Sequence, residues 1–121
     1  MRKILVIDDE ESFSNLVKES LDSKIYIVDT ALDGVSGLKK ISESKPDLIL
    51  LDLNMPGMDG MTFLKALRGN NDNRDIPVII TSNLSSMDKI TEGVVLGVRG
   101  YIVKSNESLK QITKTIDLVF K

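Results

Sequence analysis

The chain has 121 residues, of which 41% are hydrophobic and 28% charged, the balance of one ordinary globular domain needing no metal or disulfide staple. A net charge of −2 gives no basis for direct binding to nucleic acid through its phosphates. The absence of Cys and His excludes disulfides, thiolate nucleophiles, imidazole acid–base catalysis and zinc sites built on those residues. Any chemistry must come from carboxylates, lysines, hydroxyls and backbone.

Met1-Arg2-Lys3 leads straight into Ile4-Leu5-Val6-Ile7, which reads as a strand and not as a signal-peptide core. No apolar run reaches membrane length, so we expect a cytoplasmic protein without membrane contact. The first strand ends in Asp8-Asp9-Glu10-Glu11. Phe13, Leu16, Val17 and Leu21 then follow at helical spacing, with acids in the first turn where the helix dipole favours them. Ile25 to Val28 predicts a short strand closing at Asp29. Val35, Leu38 and Ile41 mark a second helix that must end before Pro46.

Leu48-Ile49-Leu50-Leu51 drives into Asp52, and the chain breaks at Pro56-Gly57. Four uninterrupted aliphatics between turn residues suit a strand buried on both faces, the mark of a parallel sheet. A third helix carries Phe63, Leu64 and Leu67 and stops at Gly69-Asn70-Asn71. Val78 to Thr81 is a fourth strand, ending at Ser82-Asn83. A helix over roughly Met87 to Leu96 is weakened by Gly93 and paired valines, which makes it the loosest expected element. Gly100 to Val103 is a fifth strand ending at Lys104, and Leu109, Ile112, Ile116 and Val119 stripe a last helix. Five strands alternating with five helices imply an α/β three-layer sandwich, a parallel sheet with helices on both faces, over residues 1–121 as a single domain.

Polar groups now mark the strand ends: Asp8 and Asp9, Asp52, Ser82 and Lys104. If the strand order is 2-1-3-4-5, Asp8, Asp9 and Asp52 meet at the topological switch point, where open α/β sheets bind ligands. Three carboxylates that close repel one another unless some protonate or a cation joins them, and an all-oxygen set favours Mg²⁺. Such a group equips Asp52 to take up a phosphoryl group, with the cation and Lys104 offsetting charge. Each residue alone has a plainer reading. Asp8 to Glu11 can be a helix start, Ser82 a turn residue and Lys104 a solvated strand end. The joint placement is what speaks for a site.

The segments ILVIDDE (Ile4 to Glu10), PDLILLDLNMPGMDG (Pro46 to Gly60), PVIITSN (Pro77 to Asn83) and LGVRGYIVK (Leu96 to Lys104) together resemble the receiver domain of two-component response regulators, of the single-domain chemotaxis type. The resemblance implies a flavodoxin-like (βα)5 fold with strand order 2-1-3-4-5. It implies phosphorylation of Asp52 by a sensor histidine kinase or a histidine phosphotransfer protein, and Mg²⁺ held by Asp8, Asp9, Asp52 and the backbone carbonyl of Asn54, with Asp8 in the outer shell. It places the family's hydroxyl on Ser82 and its aromatic switch on Tyr101. Phosphorylation would then draw in Ser82, turn Tyr101 inward and reshape the face of the fourth helix, fifth strand and fifth helix. On this reading the chain is a switch and not an enzyme, beyond its own phosphoryl uptake and autodephosphorylation.

Three positions depart from the pattern. Ser105 replaces the usual Pro, and a cis bond before Ser costs ~2.5–4 kcal/mol, so a trans, shifted loop is expected there. Asn83 replaces a small residue, and Leu84 adds an apolar group, which bears on partner choice and phosphate lifetime. Three rivals are weaker. A flavin-phosphate binder would be repelled by the acidic first loop. An Asp-nucleophile phosphatase resembles a D-x-D-x-T pattern that Asp8-Asp9-Glu10 lacks. A receiver that no longer takes phosphate would not need all five site residues. No effector follows Lys121, so we expect the output to be a separate protein or this chain to be part of a longer one. A homodimer through the last two helices is one assembly the sequence allows.

Overall fold

The computed structural model describes residues 1–53, 57–82, 97–104 and 109–120. Their elements run β1 (Arg2–Ile7), α1 (Glu11–Ser20), β2 (Tyr26–Ala31), α2 (Gly34–Glu43), β3 (Leu48–Asp52), α3 (Gly60–Gly69), β4 (Val78–Ser82), β5 (Gly100–Val103) and α4 (Leu109–Val119). The five strands form one sheet in the order β2-β1-β3-β4-β5, every pairing parallel, as expected. The expected helix over residues 87–96 and the readings on Asn54, Asn83, Leu84 and Ser105 lie outside the described residues.

Strand alternation explains the three layers. Successive side chains of a strand point to opposite faces, so an unbroken aliphatic run feeds two cores at once. Leu48 and Leu50 of β3 pack with Phe13 and Val17 of α1 and Ile112 and Ile116 of α4. Ile49 and Leu51 pack with Ile41 of α2 and Phe63, Leu64 and Leu67 of α3. All four β3 aliphatics are fully buried. At roughly 1.5–3 kcal/mol for each fully buried aliphatic side chain, the central strands dominate the apolar stabilisation.

Two local expectations need correction. β2 does not close at Asp29 but continues through Ala31, pairing with Val6 and Ile7. Asp29 is tolerated inside the edge strand because Lys40 bridges it at 2.9 Å and the Thr30 N–H donates to it. In α2 the buried face is Gly34, Gly37 and Ile41, while Val35 is 67% exposed. Gly37 is needed at close approach, since a Cβ there would lie 2.7 Å from Ile7 Cδ1. Caps set the starts of two helices: Asp33 accepts from the Ser36 N–H and Asp59 from the Thr62 N–H. Gly57, at φ 76°, supplies the left-handed turn ahead of α3. Among the described residues no helix is long and apolar enough to cross a membrane.

Candidate functional site

The register of the sheet brings the acids together. Ile7 of β1 pairs with Leu51 of β3, so Asp8, just beyond β1, and Asp52, the last residue of β3, come side by side. Their side chains enter the space beyond the carboxyl edge between the two strands, where the chain turns to opposite faces. Asp8 and Asp52 are both buried, whereas Asp9 is exposed. A carboxylate oxygen from each of the three lies within 4.8 Å of the other two.

Lys104 follows β5, and its N–H donates to the Ser82 carbonyl at 2.8 Å, which ties this end of β5 to the end of β4. From there its stem crosses the cluster, 4% exposed, with Nζ 2.6 Å from Asp8 Oδ2, 3.3 Å from Glu10 Oε1 and 3.6 Å from Asp52 Oδ2. Nζ also lies 4.9 Å from the centre of the Phe13 ring. The solvated strand end that Lys104 alone suggested is therefore not what the fold makes of it.

Electrostatics follow from burial. Asp8 is pushed above the usual carboxylate range mainly by burial, partly countered by the Lys104 ammonium against it and by the hydrogen bond from the Glu10 N–H. Burial alone would pull Lys104 down, but Asp8, then Asp52 and Glu10, outweigh it and raise its pKa. The Glu10 N–H donates to Asp8 Oδ1 at 2.8 Å. Asp8 Oδ2 is buried and, although ion-paired, accepts no well-directed hydrogen bond. Hard oxygen donors, two of them buried, with one incompletely bonded oxygen and a single ammonium among them, fit a small divalent cation such as Mg²⁺.

Ser82 closes β4, buried and in register with Val103. Tyr101 sits further back on β5, paired with Ile80, and packs half-buried against the core under α2 and α3. The fold thus gathers Asp8, Asp9, Asp52 and Lys104 at one point, puts Ser82 at the same sheet edge, and sets Tyr101 apart on β5. Glu10 was read only as part of a helix start. Its place two residues beyond Asp8, in the loop leading to α1, is the only sequence signal of its contact with Lys104.

Residues 4–117 match the model of the response regulator receiver domain. This chain belongs to that family. The receiver domain is 40% identical over 104 residues to the alkaline phosphatase synthesis transcriptional regulatory protein PhoP of Bacillus subtilis, covering 85% of this chain and 42% of PhoP. It spans less than half the length of that curated relative and others like it. Among solved structures it is similar to the chemotaxis protein CheY4 of Vibrio cholerae, at 34% identity, TM-score 0.89 and 98% coverage of both chains. It is also similar to the phosphorylated cyanobacterial phytochrome response regulator RcpA, at 29% identity and TM-score 0.83, covering 98% of this chain and 90% of that one. Receiver domains are phosphorylation-dependent signalling switches and not enzymes in the usual sense, and response regulators work with histidine kinases or phosphotransfer proteins and with output effectors.

Proposed function

We propose that Asp52 is the phosphoryl acceptor of this receiver domain, which spans residues 1–121 as one unit. The observation that carries the reading is the meeting of Asp8, Asp9 and Asp52 within 4.8 Å, beside the buried ammonium of Lys104. Phosphorylation of the similar RcpA also supports it. An Asp52 carboxylate oxygen attacks the phosphorus of a partner's phosphohistidine. An O–P bond forms as the P–N bond breaks, and the electron pair of that bond stays on the imidazole nitrogen.

Asp8, Asp9 and Asp52, with the Asn54 carbonyl, would hold Mg²⁺, which when bound supplies positive charge beside the transferring group. Lys104 places its ammonium against a phosphoryl oxygen, and the Ser82 hydroxyl donates to another. Ser82 then moves toward the phosphoryl group and Tyr101 turns inward. The face that carries β5 and α4 shifts between two packings as one population gains over the other. Water attack on the aspartyl phosphate resets the switch. The partners are a sensor histidine kinase or histidine phosphotransfer protein and an output protein or effector domain, in the cytoplasm, without direct nucleic-acid or membrane contact. Homodimerisation is one form the output can take.

Acetyl phosphate with Mg²⁺ tests the reading. Mass spectrometry is expected to place one phosphoryl group on Asp52 in the native chain and none in Asp52→Asn. A native chain that takes no phosphoryl group, or takes it elsewhere, would make this a constitutive interaction module instead.

A further inference from the structure

The Lys104 ammonium already faces three carboxylates before any phosphoryl group arrives, and of these contacts the one to Glu10 is a hydrogen bond. A phosphoryl oxygen arriving at Nζ competes with them for the ammonium. The three differ in what losing the contact would cost. Asp8 is 0% exposed, so its carboxylate would remain buried without the ammonium. Asp52 is 4% exposed and, on the reading above, is the group that carries the phosphoryl oxygens. Glu10 is 43% exposed, and its carboxylate can turn out into solvent and be rehydrated at little cost.

We propose that the Glu10 carboxylate is a placeholder for a phosphoryl oxygen. It holds Lys104 at 3.3 Å in the resting domain and yields that position when Asp52 is loaded. Glu10 is a positioning residue acting through Lys104, and it opposes loading by the strength of the contact it gives up. The inference rests on Asp52 being the acceptor. The backbone of Glu10 plays a separate part, since its N–H bonds to Asp8 Oδ1 whatever the side chain is. Side-chain substitutions therefore leave the support of Asp8 in place.

Two variants test this, using beryllofluoride with Mg²⁺ as the phosphoryl mimic. Glu10→Gln removes the competing charge and should tighten beryllofluoride binding about two- to fivefold, the range of a partly exposed ion pair. Glu10→Asp keeps the charge but withdraws the carboxylate by one methylene, beyond reach of Nζ, and should tighten binding similarly. In the metal-free protein, the Lys104 side-chain ammonium signal in NMR spectra should shift in both variants relative to the native chain. Equal affinity in all three proteins, Glu10→Asp matching the native chain while Glu10→Gln differs, or an unmoved Lys104 signal would each overturn the placeholder role. A native chain that binds no beryllofluoride would instead remove the acceptor assignment beneath it, and the two failures are told apart by that one measurement. Circular dichroism of both variants checks that the fold is retained.

Discussion

Gly60, the first residue of α3, lies directly against the backbone of Asp52: a Cβ at Gly60 would stand 2.5 Å from the Asp52 carbonyl oxygen and 2.7 Å from Leu53 Cα. The Gly60 N–H also donates to the Leu53 carbonyl at 3.2 Å. The missing side chain lets α3 start tight under the strand end that presents the central acid. Both clashing atoms are backbone, so neither can step aside by changing rotamer. Gly60→Ala should destabilise the domain by roughly 1–3 kcal/mol, the cost of overpacking. Gly69→Ala, at the other end of the same helix, meets nothing within 4 Å and should be neutral or slightly stabilising. Urea midpoints of the two variants provide the comparison, and equal midpoints would contradict the steric account.

The acid cluster makes a prediction about metal. Mg²⁺ that binds the folded domain and not the unfolded chain should raise the melting temperature, by about 2.7 kcal/mol of stability at a hundredfold excess over Kd. Asp52→Asn removes one of three mutually repelling charges. That variant should melt higher than the native chain in EDTA and gain less from added Mg²⁺. Calorimetry with and without Mg²⁺ checks both signs, and an unchanged response in Asp52→Asn would detach this residue from the metal site.

Lys104 is the ammonium that the described structure places among Asp8, Asp52 and Glu10. Lys104→Met keeps an apolar side chain of similar length but removes the ammonium over Phe13 and strands a fully buried carboxylate at Asp8. Removing one partner of a buried pair costs roughly 3–5 kcal/mol, and that loss is expected in EDTA. Mg²⁺ should restore part of it, because a cation offsets the same charges. Chemical denaturation in EDTA and in Mg²⁺ measures the difference between the two losses.

Much of this site was legible because its parts sit where local patterns end. An aliphatic run that stops at an acid reports both the strand and the residue presented at its carboxyl end, and Asp8 and Asp52 are each such a residue. Their convergence needed the strand order, which local pattern leaves conditional and the family resemblance supplies. What could not be read was contact between distant segments. Glu10 is 94 residues from Lys104, and its place two residues beyond Asp8 is the one local hint of the pairing. The need for Gly37 and Gly60 could not be read either, because a sequence shows a glycine's lost helix propensity and not the neighbour that requires the space. Val35 fitted the apolar spacing of α2 and still faces water, since the glycines occupy the buried stripe.

The corner that joins the two chain ends gives a prediction with a pH sign. Tyr26 of β2 donates its hydroxyl to Asp117 Oδ1 of α4 at 2.5 Å, and its ring lies 6.0 Å from that of Phe120, over which Arg2 stacks. Burial first, then the hydrogen bond to Asp117 and that residue's charge, push the Tyr26 phenol from the usual 10 up to about 12, with Arg2 opposing weakly. The folded state therefore keeps a proton that the unfolded chain releases between these values. Fewer protons on the unfolded chain means that stability falls as pH rises. The Tyr26 contribution is thus complete below pH 10 and lost between about 10 and 12. Tyr26→Phe should cost about 1 kcal/mol near pH 8, since Asp117 is exposed and water can replace the lost donor. Because other groups titrate in the same window, the informative quantity is the difference between native and Tyr26→Phe stabilities. That difference should shrink steadily from pH 10 to 12 in urea titrations, and a constant gap would show that the phenol's proton is not coupled to folding.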